Sequence, residues 1–188
     1  PADTYWEDFI EGVEYSVVLY RDDEGTALFP TVWKGPVQKD LAPPWRRLRL
    51  VPAEAASESS REMADTALRI AELLDAWGYV EVEFILPAVG PAVVIDINPR
   101  ICGTMRIVAM ATGLPIFDPS AFRVPGTRVV PPVRFAAEVP YEGQPFTTQN
   151  AVASSRVTCA SGSARETLRA LSSWSVVAPE SSWPLEWR

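Results

Sequence analysis

Carboxylate and amide side chains interrupt two apolar segments within "VEVEFILPAVGPAVVIDINPR". Glu81 and Glu83 alternate with apolar residues in the first segment, and Asp96 and Asn98 do so in the second. Successive side chains of a strand point to opposite faces, so the members of each pair share a face. If residues 87–92 form a turn, Glu83 pairs with Asp96 across a hairpin and Glu81 pairs with Asn98.

Carboxylates that face each other across a strand pair repel each other, unless one takes up a proton or both share a cation. Magnesium suits such a pair because it binds oxygen ligands and keeps positions for water and phosphate oxygens. The alternative is that this face of the hairpin is solvated and the acids are ordinary surface residues. The segment that follows, "DINPRICGT", favours the first interpretation.

An arginine and a glycine, Arg100 and Gly103, follow the second acidic segment and precede a helical pattern. Acid, amide and guanidinium groups would then lie at one rim of the sheet, and the helix N-terminus adds donors for an anion. Carboxylates that bind a metal, a metal that binds phosphate and an arginine that neutralises the remaining charge indicate phosphoryl transfer. A surface ion pair is the alternative role of Arg100.

A helix over 57–78 is the clearest of the elements that must position these residues. Ser57 can cap its start, and Gly78 stands where a helix commonly ends. One face carries the apolar residues Met63, Ala67, Ile70, Ala71, Leu74 and Trp77. We expect this face to pack on the apolar face of the hairpin, formed by Val80, Val82, Phe84, Leu86, Val93, Ile95 and Ile97.

The remaining segments predict further strands and two shorter helices. Before the 57–78 helix, they are strands within 5–33 around a "DDEG" turn and a Pro-rich loop over 34–54 with a strand at Arg47–Val51. After the hairpin, they are a helix over 103–113 and a strand over 127–141 that two prolines break. A strand over 150–162, a helix over 163–174 and a final "WSVV" strand complete the pattern. Hairpin connections predict a mixed α/β chain of the α+β class, with an antiparallel sheet flanked by helices. We expect a main unit over 1–141 and a small α/β extension over 142–188.

Composition excludes several kinds of chemistry. The chain has no histidine, which removes Ser–His–Asp and Cys–His nucleophiles and His-ligated zinc. Its two cysteines, Cys102 and Cys159, form no spaced cluster and are expected to be reduced; we interpret Cys102 as a packing residue. A net charge of −7 disfavours nucleic acid, and no apolar stretch approaches the ~20 residues of a membrane span. We therefore expect a cytoplasmic protein that binds neither nucleic acid nor membrane.

The hairpin motif resembles the second half of an ATP-grasp domain. In that family a strand carrying "x-E-F" precedes a strand ending "E-[IM]-N-P-R", with a glycine soon after. The resemblance implies that Glu83, Asp96 and Asn98 bind the Mg²⁺ ions that bridge the ATP phosphates, with Mn²⁺ as a substitute. Asp96 stands where the family more often has Glu. Arg100 would face the substrate carboxylate or acyl-phosphate and, with the backbone near Gly103, stabilise developing charge.

"WEDFIEGVE", near the start of the chain, is similar to the hinge of the same family. The resemblance implies that Glu7 and the backbone of Asp8 and Ile10 meet the adenine of ATP. Phe9 would pack near the adenine plane, and Glu14 would accept hydrogen bonds from the ribose hydroxyls. Taken alone, this segment could be a plain strand, glycine turn and strand, but both motifs occur in the family's order.

Lys34, in "VWKG", lies at the end of a predicted strand downstream of the hinge. The family often has a Lys or Arg at this place that contacts phosphate. A solvated lysine is an equally open interpretation, and Arg47 and Arg49 are weaker candidates for the same role.

The resemblance covers residues 5–118 and implies the C-terminal portion of an ADP-forming ligase. Such an enzyme activates a small carboxylate as an acyl-phosphate with Mg-ATP and joins it to an amine or a related nucleophile. The family also needs a preceding Gly-rich subdomain, so we expect an upstream segment in the same chain or another. The sequence leaves open whether the chain forms a homodimer. The alternatives are a non-catalytic nucleotide-binding or scaffolding module and a plain α/β interaction domain.

Overall fold

The computed structural model describes residues 7–37, 48–52, 58–140 and 156–161. Its strands are β1 (Val13–Arg21), β2 (Gly25–Leu28), β3 (Val32–Pro36), β4 (Arg49–Val51), β5 (Gly78–Leu86), β6 (Val93–Asn98), β7 (Gly126–Val129), β8 (Phe135–Pro140) and β9 (Arg156–Ser161). Its helices are α1 (Glu58–Leu73) and α2 (Met105–Thr112), with a short 3-10 helix at Pro119–Ala121.

The strands form a single sheet in the order β6-β5-β1-β3-β4-β8-β9. Strand β2 also pairs with β1, and β7 pairs with β2. Only β2 and β7 are parallel among the strand pairs of the described residues. The prediction of an α+β fold with an antiparallel sheet is confirmed, and the parallel pair is an addition that the sequence pattern did not indicate.

The strand that returns after the β1–β2 turn is broken at Pro30. Strand β2 pairs with the second half of β1, and β3 pairs with its first half. Between them the amide of Phe29 still donates to the carbonyl of Val18, at 3.0 Å. Proline has no N–H to continue such a ladder, so the predicted single return strand is divided into two.

The two helices cover opposite faces of the sheet. On one face Met63, Ala67 and Ala71 of α1 pack with Val17, Leu19, Val80, Val82 and Phe84. On the other face Met105, Ile107, Val108 and Ala111 of α2 pack with Val18, Val32, Val51 and Ala136. Because side chains alternate along β5, Glu81 and Glu83 lie on the α2 side of the sheet.

Helix α1 ends earlier than its apolar pattern predicts. It stops at Leu73, and Leu74 and Trp77 are 60% and 57% exposed. Asp75 takes a left-handed conformation with φ of 46°, and its carboxylate accepts a hydrogen bond from Arg21 at 3.1 Å. The prediction that Gly78 ends the helix is therefore wrong, since Gly78 opens β5. The predicted cap, Ser57, lies outside the described residues.

The β5–β6 hairpin has the predicted pairing near its acids and a different pairing near its turn. Glu81 pairs with Asn98 and Glu83 with Asp96, as the sequence predicts. The register then shifts, so that Phe84 pairs with Val94 and not with Ile95. One extra residue on β6 exchanges the two faces beyond this bulge. Val94 packs towards α1, and the prediction that Val93 and Ile95 do so is wrong.

Helix α2 and the strands after it follow the sequence pattern closely. The helix ends at Gly113, whose φ is 70° and whose N–H bonds the carbonyl of Ala109 at 2.8 Å. Strands β7 and β8 lie on either side of Pro131 and Pro132, the two prolines at which the sequence predicts a break. Apart from β9, the predicted extension over 142–188 lies outside the described residues, so the division into two units stays a prediction. In the described part of the chain, the helices are too short or too polar to cross a membrane.

Candidate functional site

A cavity of 320 Å³ lies where β1, β3, β5 and β6 meet the start of α2. It is lined by Glu14, Lys34, Arg49, Glu81, Glu83, Asp96, Asn98, Arg100, Cys102, Gly103 and Thr104. We call it the acidic cavity. Seven of the predicted site residues line it, namely Glu14, Lys34, Glu83, Asp96, Asn98, Arg100 and Gly103. The strand order β6-β5-β1-β3 brings them together although they are far apart in sequence.

The end of β6 forms a connected polar rim on this cavity. The side-chain amide of Asn98 donates to Asp96 Oδ2 at 2.8 Å, and the backbone N–H of Ile97 donates to Asp96 Oδ1 at 2.9 Å. Arg100 Nη2 donates to Asn98 Oδ1 at 2.9 Å. Asp96, Asn98 and Arg100 are therefore ordered by one another on the same side of the cavity.

Lys34 lies between the two glutamates of β5. Its Nζ is 2.8 Å from Glu83 Oε1 and 3.4 Å from Glu81 Oε1. The lysine is buried, so the alternative of a solvated side chain is wrong. The contact of the Lys34 ammonium with a phosphate remains a prediction. The ammonium lies directly beside Glu83, a predicted metal ligand.

Glu81 is a buried anchor that the sequence interpretation did not include among its site residues. Burial acts to raise its pKa, but the Lys34 ammonium and hydrogen bonds from Thr104 and Cys102 outweigh that effect and lower the pKa below its ordinary value. Thr104 donates its hydroxyl to Glu81 and makes no side-chain cap for α2. Glu81 therefore ties the start of α2 to the sheet. Its position opposite Asn98 in the predicted hairpin was the signal that could have identified it.

Cys102 is a buried free thiol beside Glu81. Burial, followed by the charge of Glu81, raises its pKa to about 12. The thiol is therefore protonated at neutral pH, as expected of a packing residue and not of a nucleophile.

The charges that line the acidic cavity nearly cancel. Its carboxylates are Glu14, Glu81, Glu83 and Asp96, and its cations are Lys34, Arg49 and Arg100, which leaves an excess of one negative charge. A triphosphate could enter only with additional cations. Glu83, Asp96 and Asn98 offer the oxygen donors that Mg²⁺ or Mn²⁺ prefers, and three such donors leave ligand positions for phosphate and water. Among the residues described, no three His, Cys, Asp or Glu side chains are grouped to hold a metal.

A second cavity, of 510 Å³, lies between the hinge segment and the β5–β6 hairpin. It is lined by Glu7, Asp8, Phe9, Ile10, Val37, Ile85, Val93, Val94 and Ile95, and we call it the hinge cavity. The bulge in β6 explains its apolar wall, because Val93 and Ile95 are displaced from the core to this side. A Cβ on Gly12 would collide with the carbonyl of Leu86, so only glycine lets the hinge approach β5 this closely.

The two cavities are neighbours along β1 and β5. Glu14 lines the acidic cavity and pairs in register with Ile85, which lines the hinge cavity. Apolar walls and hinge backbone at one end and charged groups at the other suit a molecule with a flat aromatic part and an anionic part.

A second buried acid, Glu138 of β8, was missed by the sequence interpretation. It is 1% exposed, and its Oε1 lies 3.0 Å from Arg106 Nη2 and 3.9 Å from Arg49 Nη1. Its signal was a lone acid within the apolar segment "FAAEVP".

The fold and this site define a mixed α+β domain with oxygen donors and cations gathered at one end of an antiparallel sheet. The chain belongs to the ATP-grasp family, since residues 3–104 match the family described as "ATP-grasp domain". No curated protein matches the sequence.

Solved structures share the fold over most of this chain. N5-carboxyaminoimidazole ribonucleotide synthetase from Thermus thermophilus has a TM-score of 0.68 at 20% identity, covering 94% of this chain and 54% of its own. The L-amino acid ligase from Bacillus licheniformis has a TM-score of 0.67 at 15% identity, covering 88% and 51%. The biotin carboxylase domain of a single-chain bacterial carboxylase has a TM-score of 0.65 at 15% identity. The match covers 86% of this chain and 46% of that protein. The chain thus spans about half the length of these proteins.

Proposed function

We propose that this chain is the C-terminal portion of an ADP-forming ligase that activates a carboxylate with Mg-ATP and joins it to an amine. The observation that carries the proposal is the pairing of Glu83 with Asp96 on adjoining strands, in one cavity with Asn98, Lys34 and Arg100. Family membership supports the use of ATP, and the structural neighbours include proteins named as a synthetase, a ligase and a carboxylase.

The nucleotide would lie across both cavities. The apolar wall of the hinge cavity suits a purine ring, and the hinge backbone at Asp8 and Ile10 offers donors and acceptors to its edge. Glu14, which lines the acidic cavity near the hinge, would accept hydrogen bonds from the ribose hydroxyls. The phosphates would then enter the acidic cavity near Lys34.

Glu83, Asp96 and Asn98 would hold Mg²⁺, which supplies the positive charge that neutralises the phosphates. For this, Glu83 must share its carboxylate between the metal and Lys34, whose ammonium then lies within reach of a phosphate oxygen. Arg100 would release Asn98 Oδ1, the atom to which it now donates, and turn to the acyl-phosphate.

In the proposed reaction a substrate carboxylate oxygen attacks the terminal phosphorus of ATP, and the bond to the bridging oxygen breaks to release ADP. The amine then attacks the acyl carbon, and the bond between this carbon and the phosphate oxygen breaks. The amide forms as phosphate leaves and the amine nitrogen gives up a proton to water or to the departing phosphate. Arg100 and the backbone at Gly103 would stabilise the charge that develops on the oxygens. An upstream segment, in the same chain or another, would complete the nucleotide site.

Titration of the chain with Mg-ATP by calorimetry tests the metal site, comparing the native sequence with Glu83→Gln. The variant should bind at least tenfold more weakly, because an amide is a poorer ligand for Mg²⁺ than a carboxylate. Glu72→Gln, on the exposed side of α1 across the sheet, is the matched control and should bind like the native chain. Equal affinity of all three proteins would remove Glu83 from the proposed site.

A further inference from the structure

A third cavity, of 720 Å³, adjoins the acidic cavity on the far side of Gly103. Its walls are mostly apolar and come from α2 and the segment that follows it, through Met105, Ala109, Met110, Ile116 and Phe117. We call it the apolar cavity. Its volume lies within the range of about 300–1,000 Å³ that is usual for small-molecule sites.

The apolar and acidic cavities adjoin each other. Arg49, Cys102 and Gly103 line both of them. A Cβ built on Gly103 would lie 3.6 Å from Arg49 Nη1, so the guanidinium sits close to the glycine at the boundary. A molecule in the apolar cavity could therefore place one end beside the groups proposed to hold the phosphates.

The charged groups of the apolar cavity carry an excess of one positive charge. They are Arg49, Arg106 and Glu138, and both arginines approach the same carboxylate oxygen of Glu138. Cys102 adds no charge because its pKa is about 12. Arginine binds carboxylates with fixed two-pronged geometry, so an anionic ligand group is favoured at the boundary.

We infer that the acid activated by this protein is a carboxylic acid with an apolar body, which lies in the apolar cavity with its carboxylate at Arg49. This inference rests on the proposed function for the chemistry that follows binding. Two of the wall residues, Met105 and Met110, are unbranched and polarisable, and adapt to hydrocarbon chains of different shape.

Binding of straight-chain monocarboxylates from butanoate to octanoate to the full chain, measured by calorimetry without nucleotide, tests the inference. Each added methylene should tighten binding about fourfold until the cavity is filled, because each removes further apolar surface from water. Hexanamide should bind at least tenfold more weakly than hexanoate, since it lacks the charge that Arg49 recognises. Affinity that does not depend on chain length, or equal affinity for acid and amide, would overturn the inference.

Two variants locate the site. Ala109→Trp fills the apolar cavity and should abolish hexanoate binding, whereas Ala88→Trp, in the exposed β5–β6 turn, should leave it unchanged. Phe117→Glu places a negative charge in the wall at a residue that is 70% exposed, so folding is preserved and binding should fall at least tenfold. Undiminished binding by folded Phe117→Glu would overturn the inference, even if Ala109→Trp fails to fold.

The same proteins are titrated separately with Mg-ATP. Nucleotide binding with no binding of acid would overturn this inference and leave the proposed function standing. Binding of acid, with nucleotide binding that Glu83→Gln leaves unchanged, would remove Glu83 from the proposed metal site and leave the apolar cavity as an acid-binding site.

Discussion

Lys34 is the counter-ion of two carboxylates in the acidic cavity, and its side chain is buried together with that of Glu81. Removal of one partner from a buried ion pair leaves an uncompensated charge out of water. The lysine therefore contributes to stability as well as to the proposed contact with phosphate. Sequence alone left a solvated lysine equally open, because burial depends on strands that are distant in sequence.

Lys34→Met should lower the free energy of unfolding by about 3–5 kcal/mol, because Glu81 and Glu83 lose their shared cation. Arg21→Met is the matched control, since its partner Asp75 is exposed, and should lower it by about 1 kcal/mol or less. Urea unfolding of both variants measures the difference. Equal losses in the two variants would contradict the buried ion pair.

Cys102 provides a chemical probe of the same cavity. With its pKa raised to about 12 by burial and by Glu81, the thiolate forms only when the pH rises towards that value. Alkylation by iodoacetamide at about pH 8 should therefore be at least a hundredfold slower in the folded chain than after unfolding.

Glu81→Gln removes the second cause of the pKa shift at Cys102 and should accelerate its alkylation while burial still slows it. Peptide mapping by mass spectrometry follows this residue alone. A folded chain that alkylates Cys102 as fast as the unfolded chain would show that the thiol is not buried against Glu81.

At the scale of elements, α1 supports the hairpin that carries the acids. Met63 of α1 is buried against Val82 and Phe84 of β5, on the opposite side of the strand from Glu83. Leu73, at the end of the same helix, is exposed. Both residues are apolar, but only Met63 belongs to the apolar face that the sequence predicts, and only Met63 is buried.

Met63→Ala should destabilise the protein by about 2–5 kcal/mol, because it leaves a cavity against the sheet. Leu73→Ala should change stability by about 0.5 kcal/mol or less. Chemical denaturation of both variants tests the assignment. A loss in Leu73→Ala as large as that in Met63→Ala would contradict the exposure of Leu73.

The sequence predicts the pairing of β5 with β6 near the acids, but not the bulge in β6 or the end of α1. Strand alternation, with pairing about a turn at 87–92, predicted the Glu83–Asp96 pair, which the structure shows immediately before the register shifts. Strand alternation wrongly placed Ile95 on the α1 side of the sheet, because the bulge inserts one residue and nothing in the local sequence marks it. The helix pattern wrongly placed Leu74 on the buried face. The chain turns at Asp75, whose carboxylate accepts a hydrogen bond from Arg21 of β1.

At the scale of the molecule, the hinge and the metal motif meet because β1 lies between β3 and β5. Family motifs identified both segments, and the sheet order brings them together. The apolar cavity and the arginine partners of Glu138 could not be predicted, since β4 and β8 become neighbours only in the folded sheet. The shared Arg49 links that cavity to the acidic one.

Metal binding between β5 and β6 is tested most directly by crystals grown with Mn²⁺ and a non-hydrolysable ATP analogue. We expect an anomalous-scattering peak within bonding distance of Glu83 and Asp96, with Asn98 oxygen as a ligand and the triphosphate beside Lys34. A bound nucleotide whose manganese lies away from Glu83 and Asp96, with the Lys34–Glu83 ion pair unchanged, would contradict it.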